Sequence, residues 1–330
     1  LILEALARGY MLTERWADAR QACEMWRKLQ PDDHRPWLWG GRIADLLYSL
    51  SGNTQVSLSV ALDGSTNLFQ LGRVVVPFQT YPGNLPQLFG YNPGQADAMS
   101  SAITQIITAS KTNALESQWN RSLKRAVDVT QVLSDALDAT PPLATVFPGT
   151  EENAANPNYL AAQLKAAARM ISASGLLGLK RQVFFVALGG FDTHGNQTTD
   201  QPRLLRQLSQ ALGAFYNATV ELGVANRVTT FTASDFGRTL KHNGEGTDHG
   251  WGGHHFVMGD AVKGGDMYGT YPTVAANSPD DVGEGRWLPT VAIDEYAATL
   301  AKWFGVSATD IPLVVPNIGR FARRDLGFLV

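Results

Sequence analysis

Apolar positions along the chain recur with two different periods. Spacings of three and four over residues 95–138 and 157–174 predict amphipathic helices, joined by a polar loop rich in Pro and Asn around residues 141–157. Short β-rich runs broken by Gly, Asn and Pro predict strands at residues 56–62 and 72–77. The pattern therefore predicts an α/β fold in which long helices cover a sheet.

A further strand signal lies in the middle of the chain. Residues 182–188 form a largely apolar run rich in Val and Phe, as expected for a strand buried on both faces. Apolar positions between 204 and 222 then mark one face of a helix, and residues 227–232 form the next strand-like run. This order is a β-α-β unit, for which we predict a parallel sheet with a right-handed crossover.

The N-terminal segment follows a different pattern. Small and aromatic residues recur at helical spacing from Leu6 to Cys23, and Pro31 follows, which predicts a helical hairpin. Residues 1–41 resemble one tetratricopeptide repeat, although an ordinary amphipathic hairpin has the same spacing. Because one hairpin cannot bury its own apolar face, we expect it to dock on the main domain, on further repeats or on a partner protein. The predicted domains are a helical hairpin at residues 1–39 and an α/β domain at residues 40–330.

The amino-acid composition limits which kinds of molecule the protein is expected to bind. A chain of 330 residues with 44% hydrophobic and 17% charged side chains can bury a sizeable core. The net charge of −3 without a basic stripe argues against nucleic acid, so we expect a small-molecule or polymer substrate. The single Cys23 excludes an internal disulfide framework. No apolar run reaches the roughly 18 residues that span a bilayer, and we expect any targeting segment upstream of Leu1.

Potential metal ligands concentrate in one stretch of the chain. Five of the six histidines fall between His194 and His255, and three aspartates, Asp192, Asp235 and Asp248, lie in the same Gly-rich sequence. Asp192 and Asp235 each follow a predicted strand, so they are expected to lie side by side at the strand ends where α/β sheets bind ligands. Carboxylate and imidazole together suit Zn²⁺ first, and also Mn²⁺ or iron.

Two short segments combine these residues with glycine or arginine. Asp192 and His194 stand two positions apart after a pair of glycines, which favours coordination, with an Asx turn and an exposed His as the alternative. Asp235 is followed by Arg238, which can bind a phosphate or sulfate oxygen. The alternative is a structural ion pair between Asp235 and Arg238.

The segment at residues 247–255 is the densest in candidate ligands. Asp248 and His249 are adjacent in a Gly-rich loop, which suggests coordination. His254 and His255 cannot both point the same way if they lead into a strand at residues 256–258. We predict Arg238 as the catalytic residue that steadies the anionic group. The predicted metal ligands are Asp192, His194, Asp235, Asp248, His249 and His254.

Three motifs carry a resemblance to a known family. They are GGFDTHGNQ, SDFGRTLKHNGEGTDHGWGGHHFVMGDAVKGG and RWLPTVAIDEYAATLAKWFGV, in this order. From about residue 40 to the C-terminus the chain resembles the bacterial domain-of-unknown-function 1501 family, placed in the alkaline phosphatase and sulfatase superfamily. The resemblance implies a three-layer α/β sandwich with a largely parallel central sheet and a metal centre at the strand ends. It also implies export to the periplasm or cell surface, often by a twin-arginine signal.

The resemblance assigns roles to some residues and departs from the superfamily at another. Asp192 and His194 resemble the ligand pair that follows one central strand, and Asp235 resembles the Asp of the next pair. Phe236 stands where the superfamily has His. His249 would replace that ligand or supply the later one, together with one of the flanking candidates Asp248 or His254.

A second departure concerns the nucleophile. In the superfamily, a first strand carries another ligand Asp, and a Ser or Thr attacks phosphorus or sulfur. Those segments lie upstream of the matching region, so we expect the sandwich to lack its first strand or strands here. Ser65 and Thr66 are local candidates, with a simple turn as the alternative.

These observations support two functions. The first is a metal-dependent hydrolase of phosphate or sulfate esters. The second is a non-catalytic metal- or ligand-binding protein of a surface or secretion assembly, with the N-terminal hairpin as a docking element. The absent first segment favours the second function: either the chain is part of a longer protein or catalysis has been lost.

Overall fold

The computed structural model describes residues 39–48, 56–65, 70, 72, 75–83, 85 and 87–330. The hairpin predicted for residues 1–39 lies outside these ranges apart from Trp39, where the first described helix begins. The tetratricopeptide resemblance and the domain division therefore stay predictions. No helix in the described ranges is both long enough and apolar enough to cross a bilayer.

The described chain combines helices with short strands. The helices are α1 (Trp39–Leu47), α2 (Ala98–Thr108), α3 (Ala114–Asp138), α4 (Tyr159–Ser172), α5 (Gln197–Glu221), α6 (Ile293–Phe304) and α7 (Ile311–Val314), with 3₁₀ turns at Ala225–Arg227 and Pro316–Arg320. The strands are β1 (Ser59–Ala61), β2 (Phe78–Gln79), β3 (Val183–Phe185), β4 (Thr230–Phe231), β5 (Gly237–His242), β6 (Thr247–Gly250) and β7 (Val257–Met258).

The helices confirm the periodicity of the sequence. The first predicted helical stretch divides into α2 and α3 because side chains cap each start: Asp97 for α2 and Asn113 for α3. Asn120 of α3 then donates to the carbonyls of Ile106 and Ala109 at 3.0 and 3.1 Å. One buried side chain thus gives hydrogen bonds to carbonyl groups at the end of α2, where the intrahelical pattern stops.

Strands β2, β1 and β3 form a parallel sheet in that order. Val60 lies opposite Phe78 on one side and opposite Phe184 on the other. Strand β1 is buried along its length, whereas β3 is only half-buried, unlike a strand covered on both faces. The parallel sheet confirms the predicted α/β class, and the alkaline-phosphatase-like sandwich stays a prediction.

The strand predicted at residues 72–77 is not found at the described positions 72 and 75–77, and β2 begins at Phe78. Residues 73 and 74 lie outside the described ranges. Pro77 has no N–H to donate to a ladder. The carbonyl of Val76 instead accepts a hydrogen bond from Ser57 Oγ at 2.8 Å. The carbonyl of Val76 is therefore paired with a side chain and not with a neighbouring strand.

The predicted β-α-β unit is also wrong, because β4 does not join the parallel sheet. It pairs antiparallel with β7, with Thr230 opposite Met258, and no ladder joins β3 to β4 in the described ranges. The buried side chain of Gln163 on α4 occupies the backbone just after β3: its amide donates to Ala187 O at 2.9 Å and accepts from Ala187 N at 2.8 Å. These backbone groups just after β3 are therefore paired with a side chain of α4 and not with another strand.

The largest apolar cluster lies between α4, α5 and the parallel sheet. Val60, Leu164 and Phe215 belong to it, together with the fully buried Phe147. A second cluster joins α6 and α7 to α1. The packing of α4 and α5 against the sheet holds the end of β3, from which the residues at 186–194 continue into the candidate site.

We expect Gln163→Leu to lower the free energy of unfolding by about 1–3 kcal/mol, because it leaves the N–H and carbonyl of Ala187 without their partner. Chemical denaturation measures this change. The matched control is Gln118→Leu on α3, where the exposed amide donates to Ser122 Oγ at 3.3 Å and accepts from Arg121 NH2 at 2.9 Å. Both contacts are local and exposed to solvent, so a change below about 0.5 kcal/mol is expected. Equal stabilities for the two variants would contradict the bridging role of Gln163.

Candidate metal centre

A β-hairpin that the sequence pattern did not predict carries most of the candidate site. Strands β5 and β6 pair antiparallel, with Arg238 opposite His249. Cross-strand neighbours present their side chains on the same face of a hairpin. The turn between the strands contains Asn243 and Gly244, a dipeptide that favours hairpins and was the available local signal.

The loop at residues 192–194 docks on this hairpin through its backbone. The carbonyl of Thr193 accepts from Thr247 N at 3.3 Å, and the carbonyl of His194 accepts from Asn243 Nδ2 at 3.1 Å. A Cβ on Gly246 would lie 2.2 Å from the oxygen of Thr193, so only glycine allows the two backbones to approach this closely. Segments about fifty positions apart are thereby held face to face.

Asp192, His194 and His249 meet where the loop contacts the hairpin, and their potential ligand atoms lie within 4.8 Å of one another. Asp192 Oδ1 is 3.0 Å from His194 Nε2 and 2.7 Å from His249 Nε2. The side chains are 57%, 48% and 47% exposed, so a ligand can reach them from solvent. One carboxylate and two imidazoles are a donor set that zinc and iron accept, and this group of three can hold a metal ion.

Asp248 lies behind His194. Its Oδ1 is 3.1 Å from His194 Nδ1, which favours the tautomer that keeps the proton on Nδ1 and directs the Nε2 lone pair towards Asp192. Asn243 Nδ2 donates to the same oxygen of Asp248 at 3.4 Å. A carboxylate behind a metal-binding imidazole fixes its orientation and raises its basicity. The structure therefore gives Asp248 an orienting contact outside the group of three, and its predicted ligand role stays a prediction.

His249 is held by stacking and by its backbone. The ring of Phe236 lies 3.9 Å from the imidazole, centroid to centroid, and is within 5° of parallel to it. Arg286 Nε donates to the carbonyl of His249 at 3.1 Å. Phe236, which stands where the resembled superfamily has His, thus packs against an imidazole of the group and fixes its plane.

Arg238 contacts Asp192, whereas the alternative drawn from the sequence paired it with Asp235. Its NH1 donates to Asp192 Oδ1 at 3.0 Å, and its Nε donates to Thr247 Oγ1 at 3.0 Å. The hydrogen bond from His249 is the main cause that lowers the pKa of Asp192, and the bond from Arg238 and the two histidine charges add to it. The carboxylate is therefore held in the ionised form that a cation requires.

The structure leaves Asp235 and His254 outside the group of three. Asp235 is exposed after β4, and its strand pairs with β7 and does not lie beside β3, which removes the parallel neighbours expected to bring Asp235 to Asp192. His254 stacks on Tyr271 at 5.2 Å. The ligand roles predicted for Asp235 and His254 are untested, and the geometry points to a site without them.

The local nucleophile candidates lie elsewhere in the chain. The backbone N–H of Ser65 donates to Asp63 Oδ1 at 3.2 Å, and its hydroxyl donates to Asp63 Oδ2. This is the turn proposed as the alternative to a nucleophile. Thr66 lies outside the described residues.

Comparison with known proteins identifies the family. Residues 90–305, close to two thirds of the chain, match the family model described as "Protein of unknown function (DUF1501)". The chain therefore belongs to this family. No curated protein and no solved structure matches the chain. The wider resemblance to the alkaline phosphatase superfamily stays a prediction.

We expect His249→Ala to lower zinc affinity by at least about 100-fold, because it removes one of three ligands, and Asp248→Asn to lower it by about 10–100-fold through the orientation of His194. Metal analysis after dialysis against a zinc buffer measures both effects. His254→Ala is the control and should retain the zinc of the wild type. Loss of zinc from His254→Ala would instead show that His254 is a ligand and that the group of three is incomplete.

The docking of the loop on the hairpin can be tested at a glycine. Gly246→Ala places a methyl group against the carbonyl of Thr193, so we expect the loop to move and zinc affinity to fall by at least about tenfold. Gly253→Ala is the matched control, since a Cβ there meets no atom within 4 Å. Zinc titration of both variants gives the comparison. Wild-type affinity in Gly246→Ala would contradict the docking geometry.

Proposed function

We propose that this member of the DUF1501 family is a metal-dependent hydrolase of phosphate or sulfate esters. The observation that carries the proposal is the exposed group Asp192, His194 and His249, with a carboxylate behind one imidazole. Three protein ligands that leave further positions for substrate and water are typical of catalytic zinc centres. A bound divalent metal would polarise the ester and lower the pKa of water.

The charges around the group favour binding of a cation first, and of an anionic ester once the cation is bound. Asp192 and Asp248 bring two carboxylates, and Arg238 brings one guanidinium, so the site has a net negative charge when its histidines are neutral. This balance favours binding of a divalent cation. Once that cation is present, Arg238 adds positive charge beside Asp192, which supports the approach of a phosphate or sulfate group.

The donor set limits which metal ions the site is expected to bind. Two imidazoles and one carboxylate are found in zinc hydrolases and also in the facial triad of non-haem iron proteins. We propose zinc first because ester hydrolysis needs a Lewis acid without redox chemistry, with manganese or iron as the alternatives. Export to the periplasm or cell surface, as implied by the family resemblance, belongs to the same proposal.

A specific observation favours the second candidate, a metal-binding protein without catalysis. The hydroxyl groups beside the cluster, among the described residues, are engaged or buried: Thr247 Oγ1 accepts from Arg238 Nε, and Thr193 is 6% exposed. Neither of these two hydroxyls is therefore freely presented to an ester beside the group. Hydrolysis by this site would rely on water as the attacking group.

We expect the protein, stripped with a chelator and reloaded with Zn²⁺ or Mn²⁺, to hydrolyse 4-nitrophenyl phosphate or 4-nitrophenyl sulfate. His249→Ala should reduce kcat/KM by at least about 100-fold, because the metal is lost, while His254→Ala should retain it. Turnover is measured together with metal content in each preparation. Full metal loading without turnover of either ester would overturn the hydrolase and leave the metal-binding protein.

A further inference from the structure

A cavity of about 630 Å³ opens beside the chain segment that leads to the metal group. The segment after β3 forms one side of this cavity with Gly189 and Gly190, and the start of α4 and the first half of α5 form the others. This volume falls in the range that holds a small-molecule ligand. Gly190 precedes Asp192 by two positions, so their Cα atoms are at most about 7 Å apart. The lining of this cavity, named the α4–α5 pocket below, therefore ends two positions before Asp192 along the chain.

The charged residues that line the α4–α5 pocket are all basic. Arg203 and Arg206 reach it from α5, and no Asp or Glu lines it, in a chain whose net charge is −3. Arg203 also pairs with Asp200 at 3.1 Å, an exposed pair of the kind that contributes little and exchanges readily. Arg206 is exposed and has no ion pair with any described residue. An anionic group of a ligand would find its partner in Arg206.

The uncharged lining suits hydroxyl groups. Asn156 and Gln210 each offer an amide that both donates and accepts, as neighbouring hydroxyls of a sugar require. Gln207 donates to the carbonyl of Pro157 at 3.1 Å, which leaves its oxygen free to accept. The ring of Tyr159 is 75% exposed at the same wall and offers an apolar face for a sugar ring.

We propose that the α4–α5 pocket binds the sugar part of an ester that carries a second anionic group, with Arg206 as the contact for that group. The first anionic group then reaches Asp192, His194 and His249. This inference rests on the proposed function, since it names the substrate class of the same site. The pocket would discriminate between esters by the charge of their second group, which the metal group alone cannot do.

The first test compares two probes that differ by one phosphate, glucose 6-phosphate and glucose 1,6-bisphosphate. We expect zinc-loaded protein to bind the bisphosphate about tenfold more tightly in calorimetric titration, the size of one partly screened charge-assisted contact. Arg206→Gln should abolish this preference and leave zinc content unchanged. Arg125→Gln is the matched control, an exposed arginine on α3 with no ion pair to a described residue.

The second test fills the pocket without disturbing the backbone. A Cβ on Gly189 meets no atom within 4 Å, and Gly189 is not among the glycines with positive φ, so Gly189→Leu is compatible with the fold. It should weaken both sugar phosphates at least about tenfold while zinc content and the affinity for inorganic phosphate remain those of the wild type. Gly213→Leu, on the exposed side of α5, provides the control.

The outcomes separate this inference from the proposed function. Equal affinity of the wild type for the two sugar phosphates, or binding of neither, overturns the inference even if 4-nitrophenyl esters are hydrolysed. A preference for the bisphosphate that Arg206→Gln leaves unchanged also overturns it. A preference that is lost in Arg206→Gln supports it, and supports it equally when no ester is hydrolysed, in which case only the hydrolase fails.

Discussion

The contact between the loop at residues 192–194 and the β5–β6 hairpin is the constraint on which the candidate site depends. Asp192 and His194 lie on the loop, His249 and Arg238 lie on the hairpin, and neither segment forms the group alone. Backbone hydrogen bonds hold the two together, and Gly246 lets their main chains approach. Because glycine leaves no side chain between the segments, ligands from distant positions come within hydrogen-bond distance of one another.

Electrostatic pairing then organises the side chains that this contact brings together. Arg238 NH1 donates to Oδ1 of Asp192, and the Nε2 atoms of His194 and His249 lie 3.0 and 2.7 Å from the same oxygen. These contacts lower the pKa of Asp192 and keep the carboxylate ionised. A second carboxylate, Asp248, contacts Nδ1 of His194 and so orients its imidazole. The arrangement has the two layers of a metal site, a ligand layer and a layer that orients the ligands. Stacking of Phe236 on His249 adds a third restraint.

Helices α4 and α5 connect this chemistry to the core. Their apolar faces pack on the parallel sheet, and Gln163 of α4 pairs with the backbone of Ala187 just after β3. That pairing fixes the backbone just after β3, from which the chain continues through Gly189 and Gly190 towards Asp192. The same two helices line the cavity beside the loop. The core, the metal group and the proposed sugar pocket thus share one scaffold.

Local pattern determined much of the fold and part of the site. Helical periodicity marked α2 to α5, since an amphipathic face repeats within a few residues, and the clustering of Asp and His marked the residues that meet at Asp192. Tertiary structure alone decided that β4 pairs with β7, that Arg238 contacts Asp192, and that Asp248 lies behind His194. Each of these contacts joins groups that are far apart in the sequence. Local spacing does not predict them, because such groups meet only when the chain folds.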